Sequence, residues 1–161
     1  MTTPNTLKIE LLKKTKKNEP KTLPQLLIVE REAFGKSEDS SQIVRTFWQS
    51  QMNKIVVARK ADTGAIVGYA AFMPTREGKG SYLMRIAVRP RCQRHGIGRK
   101  LVSYLVENYP EHLELDVSSD NKRAIGFYER IGLVVAKRYL SGQPEVEFYK
   151  FETQTICAEL I

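Results

Sequence analysis

The chain has 161 residues, of which 42% are hydrophobic and 27% are charged, a composition typical of a globular protein with one domain. No apolar run approaches the ~20 residues that cross a bilayer, and the first residues lack the apolar core of a signal peptide. We therefore expect residues 1–161 to form a single cytoplasmic domain with no membrane partner. The formal net charge of +8 indicates an acidic ligand or partner.

Alternating and helix-spaced apolar residues predict the element order β-α-α-β-β-β-α-β-α-β-β. The predicted strands cover residues 6–12, 55–59, 66–73, 82–88, 113–117, 133–140 and 146–152. The predicted helices cover residues 23–34, 42–52, 97–109 and 122–131, with Pro24 in the first turn of the first helix. The basic run 13–18 is predicted to be a solvated loop. Periodicity alone indicates one domain of the α/β or α+β class.

The two cysteines and two histidines show no metal-binding spacing. Cys92 and Cys157 are far apart, and neither His95 nor His112 forms a Cys/His ligand pattern with them. We therefore predict no metal site, and we expect both thiols to be reduced.

A glycine-containing stretch, Gln93-Arg94-His95-Gly96-Ile97-Gly98, joins the predicted strand 82–88 to the predicted helix 97–109. The first N–H groups of a helix have no intrahelical partner, and the helix dipole is positive at that end. This arrangement suits a phosphate group, and glycines let a ligand approach the backbone closely. The stretch is neither a G-x-G-x-x-G dinucleotide fingerprint nor a Walker A loop.

The charges around this stretch favour the same interpretation. Residues 78–106 contain no Asp or Glu. The cations in this segment are Lys79, Arg85, Arg89, Arg91, Arg94, Arg99 and Lys100, with His95 among them. Such a segment attracts a polyanion, although a solvated basic loop would have the same composition.

Two motifs resemble those of the GNAT superfamily of N-acetyltransferases. Gln93-x-x-Gly96-x-Gly98 is similar to the family's Q/R-x-x-G-x-G/A signature, and residues 121–133 resemble its N-x-x-A-x-x-F-Y…G-F/L segment. The resemblance implies a GNAT fold of the α/β (α+β) class, with a mixed, mostly antiparallel seven-stranded sheet and helices on both faces. It also implies that acetyl-CoA, the acetyl donor, lies in a gap between the strands 82–88 and 113–117.

The resemblance implies a set of acetyl-CoA-binding residues. Backbone N–H groups of the glycine stretch would bind the pyrophosphate, and the end of the preceding strand would pair with pantetheine. The implied set is Ile86, Ala87, Val88, Gln93, Arg94, His95, Gly96, Ile97, Gly98, Arg99, Asn121 and Tyr128. Asn121 is also a candidate helix N-cap, and the two roles are compatible.

Tyr128 matches the family's general acid, which protonates the CoA thiolate. A phenol is a neutral proton donor at pH 7 because its reference pKa is about 10. The alternative role is that of a core aromatic residue on an amphipathic helix, an interpretation that suits the adjacent Phe127 better.

Asp116 is the candidate general base. The stretch Leu115-Asp116-Val117-Ser118-Ser119-Asp120-Asn121 resembles the branch that acetylates protein N-termini, in which a Glu on this strand acts as the base. Three alternatives stay open: Glu114 as the base, a water relay, and Asp116 as an ordinary solvent-facing carboxylate.

The sequence therefore predicts an acetyl-CoA-dependent N-acetyltransferase that transfers acetyl to a primary amine by direct attack in a ternary complex. The expected partners are acetyl-CoA and an amine acceptor, without nucleic acid, in a monomer or homodimer. Two alternatives are a non-catalytic acyl-CoA-binding module and a basic nucleic-acid-binding protein.

Overall fold

The computed structural model describes residues 6–93 and 95–153, and its elements follow the predicted order. The strands are β1 (Leu7–Leu11), β2 (Lys54–Lys60), β3 (Ile66–Thr75), β4 (Gly80–Val88), β5 (His112–Ser118), β6 (Val134–Ser141) and β7 (Val146–Glu152). The helices are α1 (Glu19–Phe34), α2 (Glu38–Gln49), α3 (Ile97–Asn108) and α4 (Lys122–Arg130). Within the described ranges, no helix has both the length and the apolar character needed to cross a membrane.

The first two helices begin earlier than the sequence predicts. α1 begins at Glu19, so Pro20 occupies its first turn and Pro24 lies inside the helix. The first N–H groups of a helix have no carbonyl partner, so Pro20 is tolerated there, whereas Pro24 removes one intrahelical bond. α2 begins directly after Ser37, because the Ser37 side chain accepts a hydrogen bond from the Ser40 N–H and caps the helix.

The seven strands follow the order β1-β2-β3-β4-β5-β7-β6 in the sheet. The pairs β1–β2, β2–β3, β5–β7 and β6–β7 are antiparallel, and β4–β5 is parallel. The parallel pair joins Gly80, Ser81 and Tyr82 to His112, Leu113 and Glu114. The predicted mixed, mostly antiparallel seven-stranded sheet is therefore confirmed.

The chain divides into two compact units. Unit 1 comprises Met1–Met73 and Arg85–Tyr104, and unit 2 comprises Pro74–Met84 and Leu105–Ile161. A buried apolar cluster in unit 1 is formed by Leu23, Leu26, Val29, Val44, Phe47, Trp48, Ile55, Val57, Ile66, Tyr69, Ala71 and Ala87. Buried apolar residues of unit 2 include Leu113, Leu115, Val117, Ile125, Tyr128, Leu133 and Phe151. The single-domain organisation stays a prediction.

Lys14, in the basic run of unit 1, holds the end of α2. Its ammonium group donates hydrogen bonds to the carbonyl oxygens of Phe47, Ser50 and Asn53. The last carbonyls of a helix lack intrahelical partners, and positive charge is favourable at that end. This lysine is therefore a helix cap, whereas the sequence predicted a solvated charge.

The Glu30 carboxylate of α1 is buried in unit 1, with 1% of its side chain exposed. Arg85 of β4 donates to it through Nε and, at 3.3 Å, through Nη2. The Tyr69 hydroxyl of β3 donates to Glu30 Oε1 at 3.2 Å. Burial and the negative charge of Glu30 raise the pKa of Tyr69, so the phenol stays protonated. These contacts connect α1 to β3 and β4.

A second ion pair joins α1 to the residue after β4. Arg89 Nε lies 2.6 Å from Glu32 Oε2, and Arg89 Nη2 lies 3.1 Å from Glu32 Oε1. The Glu32 side chain is 33% exposed, whereas that of Glu30 is 1% exposed. The two pairs therefore have similar chemistry on the same helix and differ mainly in solvation.

We predict that Arg85→Met lowers the free energy of unfolding by ~3 kcal/mol, because the buried Glu30 carboxylate would lose its counter-charge. Arg89→Met is the matched control and should cost no more than ~1 kcal/mol, as is usual for a solvated ion pair. Urea unfolding followed by circular dichroism measures both values. Equal losses of unfolding free energy in the two variants would contradict the prediction that the buried Glu30–Arg85 pair contributes more to stability than the solvated Glu32–Arg89 pair.

Candidate active site

The predicted phosphate loop leads from β4 to α3 within unit 1. β4 ends at Val88, the chain passes through the 3-10 turn Pro90–Cys92, and α3 begins at Ile97. The Gly96 carbonyl accepts a hydrogen bond from the Lys100 N–H at 3.0 Å as the helix opens. The N–H groups of the first helical turn have no carbonyl one turn earlier. Together with the positive end of the helix dipole, they can bind an anion such as phosphate.

Gly96 is required by the backbone of this loop. Its φ of +74° lies in the left-handed region, and a Cβ added there would meet no atom within 4 Å. The space beside Gly96 is therefore open to a ligand. His95 before Gly96 and Arg99 after it in the sequence are exposed, and Arg94 lies outside the described residues.

The predicted ligand Gln93 has a role within the chain. Its Nε2 donates a hydrogen bond to the Val88 carbonyl oxygen at 3.1 Å. This bond connects the loop to the end of β4. Because the bond occupies a main-chain acceptor on the predicted pantetheine strand, Gln93 also influences which groups of that strand can meet a ligand.

Gly68 of β3 is a positioning residue that the sequence analysis missed. A Cβ at Gly68 would lie 3.1 Å from Ile97 Cγ2, 3.2 Å from the Ala87 carbonyl oxygen and 3.4 Å from Val88 Cγ2. The missing side chain therefore lets β3 approach both the end of β4 and the start of α3. A glycine inside an apolar strand was the available signal, since it often marks a close approach of backbone.

The residues Ile86, Ala87 and Val88 form the end of β4 as predicted. Ala87 is buried, and its two neighbours are half-buried. Their pairing with pantetheine, and the gap beside this strand, stay predictions.

The basic segment is less available to a ligand than its composition indicates. Arg85 and Arg89 are paired with the α1 glutamates, and Lys79 lies 3.9 Å from Glu111. Residues 78–106 contain no acid, but acids from elsewhere in the chain neutralise part of their charge. The exposed cations nearest the loop in sequence are Arg91, Arg99 and Lys100.

Tyr128, the predicted general acid, lies on α4 in unit 2 and is 6% exposed. Its ring centroid is 5.2 Å from that of Phe127 and 5.8 Å from that of Phe151. The sequence analysis assigned the core role to Phe127, but Phe127 is only half-buried. Burial raises the pKa of Tyr128, which keeps the phenol protonated at neutral pH. A buried, neutral phenol can donate a proton to a thiolate that reaches it.

Asn121 caps α4. Its Oδ1 accepts a hydrogen bond from the Ala124 N–H at 3.1 Å. The proposed contact of Asn121 with CoA stays a prediction.

Asp116, the candidate base, receives hydrogen bonds from two tyrosines in unit 2. The Tyr82 hydroxyl of β4 donates to Oδ2, and the Tyr139 hydroxyl of β6 donates to Oδ1 at 2.8 Å. Burial and the Asp116 carboxylate raise the pKa of Tyr82, and the same causes raise the pKa of Tyr139 to about 12. Both phenols therefore stay protonated and orient the carboxylate. Asp116 is not the freely solvated carboxylate that the sequence left open.

The alternative base, Glu114, lies on the same face of β5 as Asp116. Residues His112, Glu114 and Asp116 are half-buried, whereas Leu113 and Leu115 between them are buried. Glu114 Oε2 lies 3.4 Å from His112 Nε2. The sequence analysis missed the two tyrosines, because only strand pairing brings them to Asp116.

Unit 1 also contains a cleft of about 270 Å³ between the end of α1 and the start of α2. Apolar side chains and both signs of charge line it, including Leu27, Ile28, Glu30, Arg31, Lys36 and Ser40. Such a cleft can hold a small polar group together with an aliphatic stem.

Comparison with known proteins identifies the family. The model of the Acetyltransferase (GNAT) family matches residues 23–133. The peptidyl-lysine N-acetyltransferase YiaC of Escherichia coli (strain K12) is 34% identical over 71 residues, which are 44% of this chain and 44% of YiaC. The chain therefore aligns with less than half the length of this curated relative.

Solved structures share the fold. The ribosomal-protein-S18-alanine N-acetyltransferase from Escherichia coli matches with a TM-score of 0.69 at 20% identity, over 92% of this chain and 93% of that chain. YncA from Salmonella typhimurium, solved with its cofactor acetyl-CoA, matches with a TM-score of 0.63 at 16% identity, over 94% and 95% of the two chains. Because the family model covers more than half of the sequence, the protein belongs to the GNAT family of acetyltransferases.

Proposed function

We propose that the protein transfers the acetyl group of acetyl-CoA to a primary amine by direct attack in a ternary complex. The observation that carries the proposal is the glycine loop at the start of α3, between β4 and this helix, inside the segment matched by the family model. Backbone N–H groups of this loop would bind the CoA pyrophosphate. Main-chain groups of Ile86, Ala87 and Val88 would pair with pantetheine, in the manner of an added strand.

Acetyl transfer to an amine has three chemical requirements. The amine must lose its proton, the thioester carbonyl must be polarised, and the departing thiolate must be protonated. A main-chain N–H at the end of β4 would polarise the carbonyl, and Tyr128 would protonate the thiolate. Asp116, oriented by Tyr82 and Tyr139, would accept the proton of the amine directly or through water.

The acceptor in this proposal is an amine of a polypeptide. The stretch around Asp116 resembles the branch that acetylates protein N-termini, and the relative YiaC acts on peptidyl-lysine. Assays of CoA release with N-terminal and lysine peptides, free amino acids and polyamines test this choice. Acetyl-CoA binding without turnover of any amine would support a non-catalytic module.

We predict that Gly96→Val weakens acetyl-CoA binding at least ~10-fold, equivalent to 1.4 kcal/mol, because the side chain would fill the space beside the phosphate loop. Gly64→Val is the matched control. Gly64 also has a φ of +74° with open surroundings, so the backbone strain is similar in the β2–β3 turn. Calorimetric titration measures binding, and thermal unfolding reports the strain. Tight binding by a folded Gly96→Val protein would contradict the loop assignment.

Tyr128→Phe keeps the buried ring and removes the proton donor. We expect kcat to fall by ~10²-fold, as is usual for the loss of a general acid, with little change in the Kd for acetyl-CoA. Tyr104→Phe, which removes a phenol from α3, serves as the control. The rate of the chemical step is measured by stopped flow. A parent-like rate in the Tyr128→Phe variant would show that Tyr128 is not the general acid.

Asp116→Asn keeps the shape of the side chain and removes its charge. We expect kcat/KM for the amine to fall by ~10²-fold, because an amide cannot accept the proton. The Kd for acetyl-CoA should stay unchanged, and Asp62→Asn in the β2–β3 turn controls for the lost charge. The assay uses the acceptor selected by the peptide screen. Parent-like turnover would show that Asp116 is not the general base and would favour Glu114 or a water relay.

A further inference from the structure

Three metal-ligand side chains lie together on the polar face of unit 2. His112 and Glu114 are two residues apart on β5, and Glu152 of β7 is directly opposite Glu114. His112 Nε2 lies 3.4 Å from Glu114 Oε2 and 3.7 Å from Glu152 Oε2. All three ligand atoms lie within 4.8 Å of one another. We propose that His112, Glu114 and Glu152 bind one divalent transition-metal ion.

The two distances from His112 are close to those around a single ion. An ion that holds nitrogen and oxygen ligands at ~2.0–2.2 Å places neighbouring ligand atoms about 2.8–3.6 Å apart, from octahedral to tetrahedral geometry. The distance from His112 to Glu114 is 3.4 Å and that to Glu152 is 3.7 Å, while the two carboxylates lie within 4.8 Å of each other and would move closer on binding. The Glu152 side chain is 37% exposed, so it has room for this adjustment.

The charges also favour a cation at this position. The carboxylates of Glu114 and Glu152 face each other across β5 and β7, and like charges in directly opposite positions destabilise a sheet. A divalent ion between them offsets this repulsion. The His112 side chain is only 12% exposed, so its ring nitrogen is held beside the carboxylates and largely away from solvent. Direct contact of His112 with the two carboxylates, without a metal, is the competing explanation.

The ligand types define the class of ion. An imidazole nitrogen with carboxylate oxygens suits zinc, cobalt, iron or manganese, whereas Mg²⁺ and Ca²⁺ prefer sets made of oxygen alone. Three protein ligands leave coordination positions for water.

A hydroxyl that is unpartnered in the described part of the chain lies on the same side of the sheet as His112. Thr75 Oγ1 has no hydrogen-bonding partner within residues 6–93 and 95–153. It lies 2.7 Å from the position that a Cβ of Gly80 would take, and Gly80 pairs with His112. Paired residues of neighbouring strands present their side chains on the same face, so this hydroxyl lies on the His112 side of the sheet.

The inference does not depend on the proposed acetyl transfer. It differs from the expectation from the sequence that the protein has no metal site, and that expectation stays a prediction. That expectation considered Cys/His spacing, whereas these ligands require the pairing of β5 with β7.

Titration of Co²⁺ into the metal-free full-length protein tests the site, with Cys92 and Cys157 replaced by serine so that thiols do not compete. We expect saturable binding of one equivalent, with visible absorption bands typical of nitrogen and oxygen ligands. His112→Gln and Glu152→Gln should each weaken binding by at least ~10-fold. Zn²⁺ should displace the bound Co²⁺.

His95→Gln and Glu107→Gln are the matched controls, because they remove the other histidine and an exposed α3 carboxylate. Both controls should bind Co²⁺ as the parent does, and circular dichroism verifies the folding of every variant. Absence of saturable binding in the parent would overturn the proposal whether or not the variants fold. Parent-like affinity in a folded His112→Gln variant would overturn it as well.

Discussion

The geometry of unit 1 depends on the buried carboxylate of Glu30. A charge that is removed from water is tolerated only when it is paired and hydrogen-bonded. Arg85 of β4 and Tyr69 of β3 supply these contacts, so α1, β3 and β4 must adopt positions that bring the three side chains together. The chain passes from the end of β4 through the turn Pro90–Cys92 to the glycine loop, and the same contacts therefore help to orient the candidate phosphate site.

The distribution of charge in unit 1 follows from this arrangement. A segment without acids resembles an uncompensated basic patch, but α1 directs Glu30 and Glu32 to two of its arginines. The candidate anion site at α3 would then depend mainly on backbone N–H groups and the helix dipole, with exposed cations nearby in sequence. This attraction is directional, because only the N–H groups of the first helical turn are free to bind an anion.

In unit 2, the two faces of β5 differ in burial and polarity. Leu113, Leu115 and Val117 are buried, while the alternate residues carry the polar chemistry. Asp116 receives its tyrosine partners from β4 and β6, and His112 and Glu114 meet Glu152 of β7. The candidate base and the proposed metal site therefore share one face of one strand. A shift of one residue in register would move both to the apolar face.

The sequence by itself determined the order of the elements, the helix-opening glycine loop and the family. These features depend on local signals, namely apolar periodicity, Gly96 before α3 and the motifs of residues 93–98 and 121–133. Helix starts were less accurate, because Pro24 and the cap at Ser37 permit more than one boundary. Only the tertiary structure decided the partners of Glu30, Asp116 and His112. Those partners lie far away along the chain, and strand order and register, which a local pattern does not encode, bring them into contact.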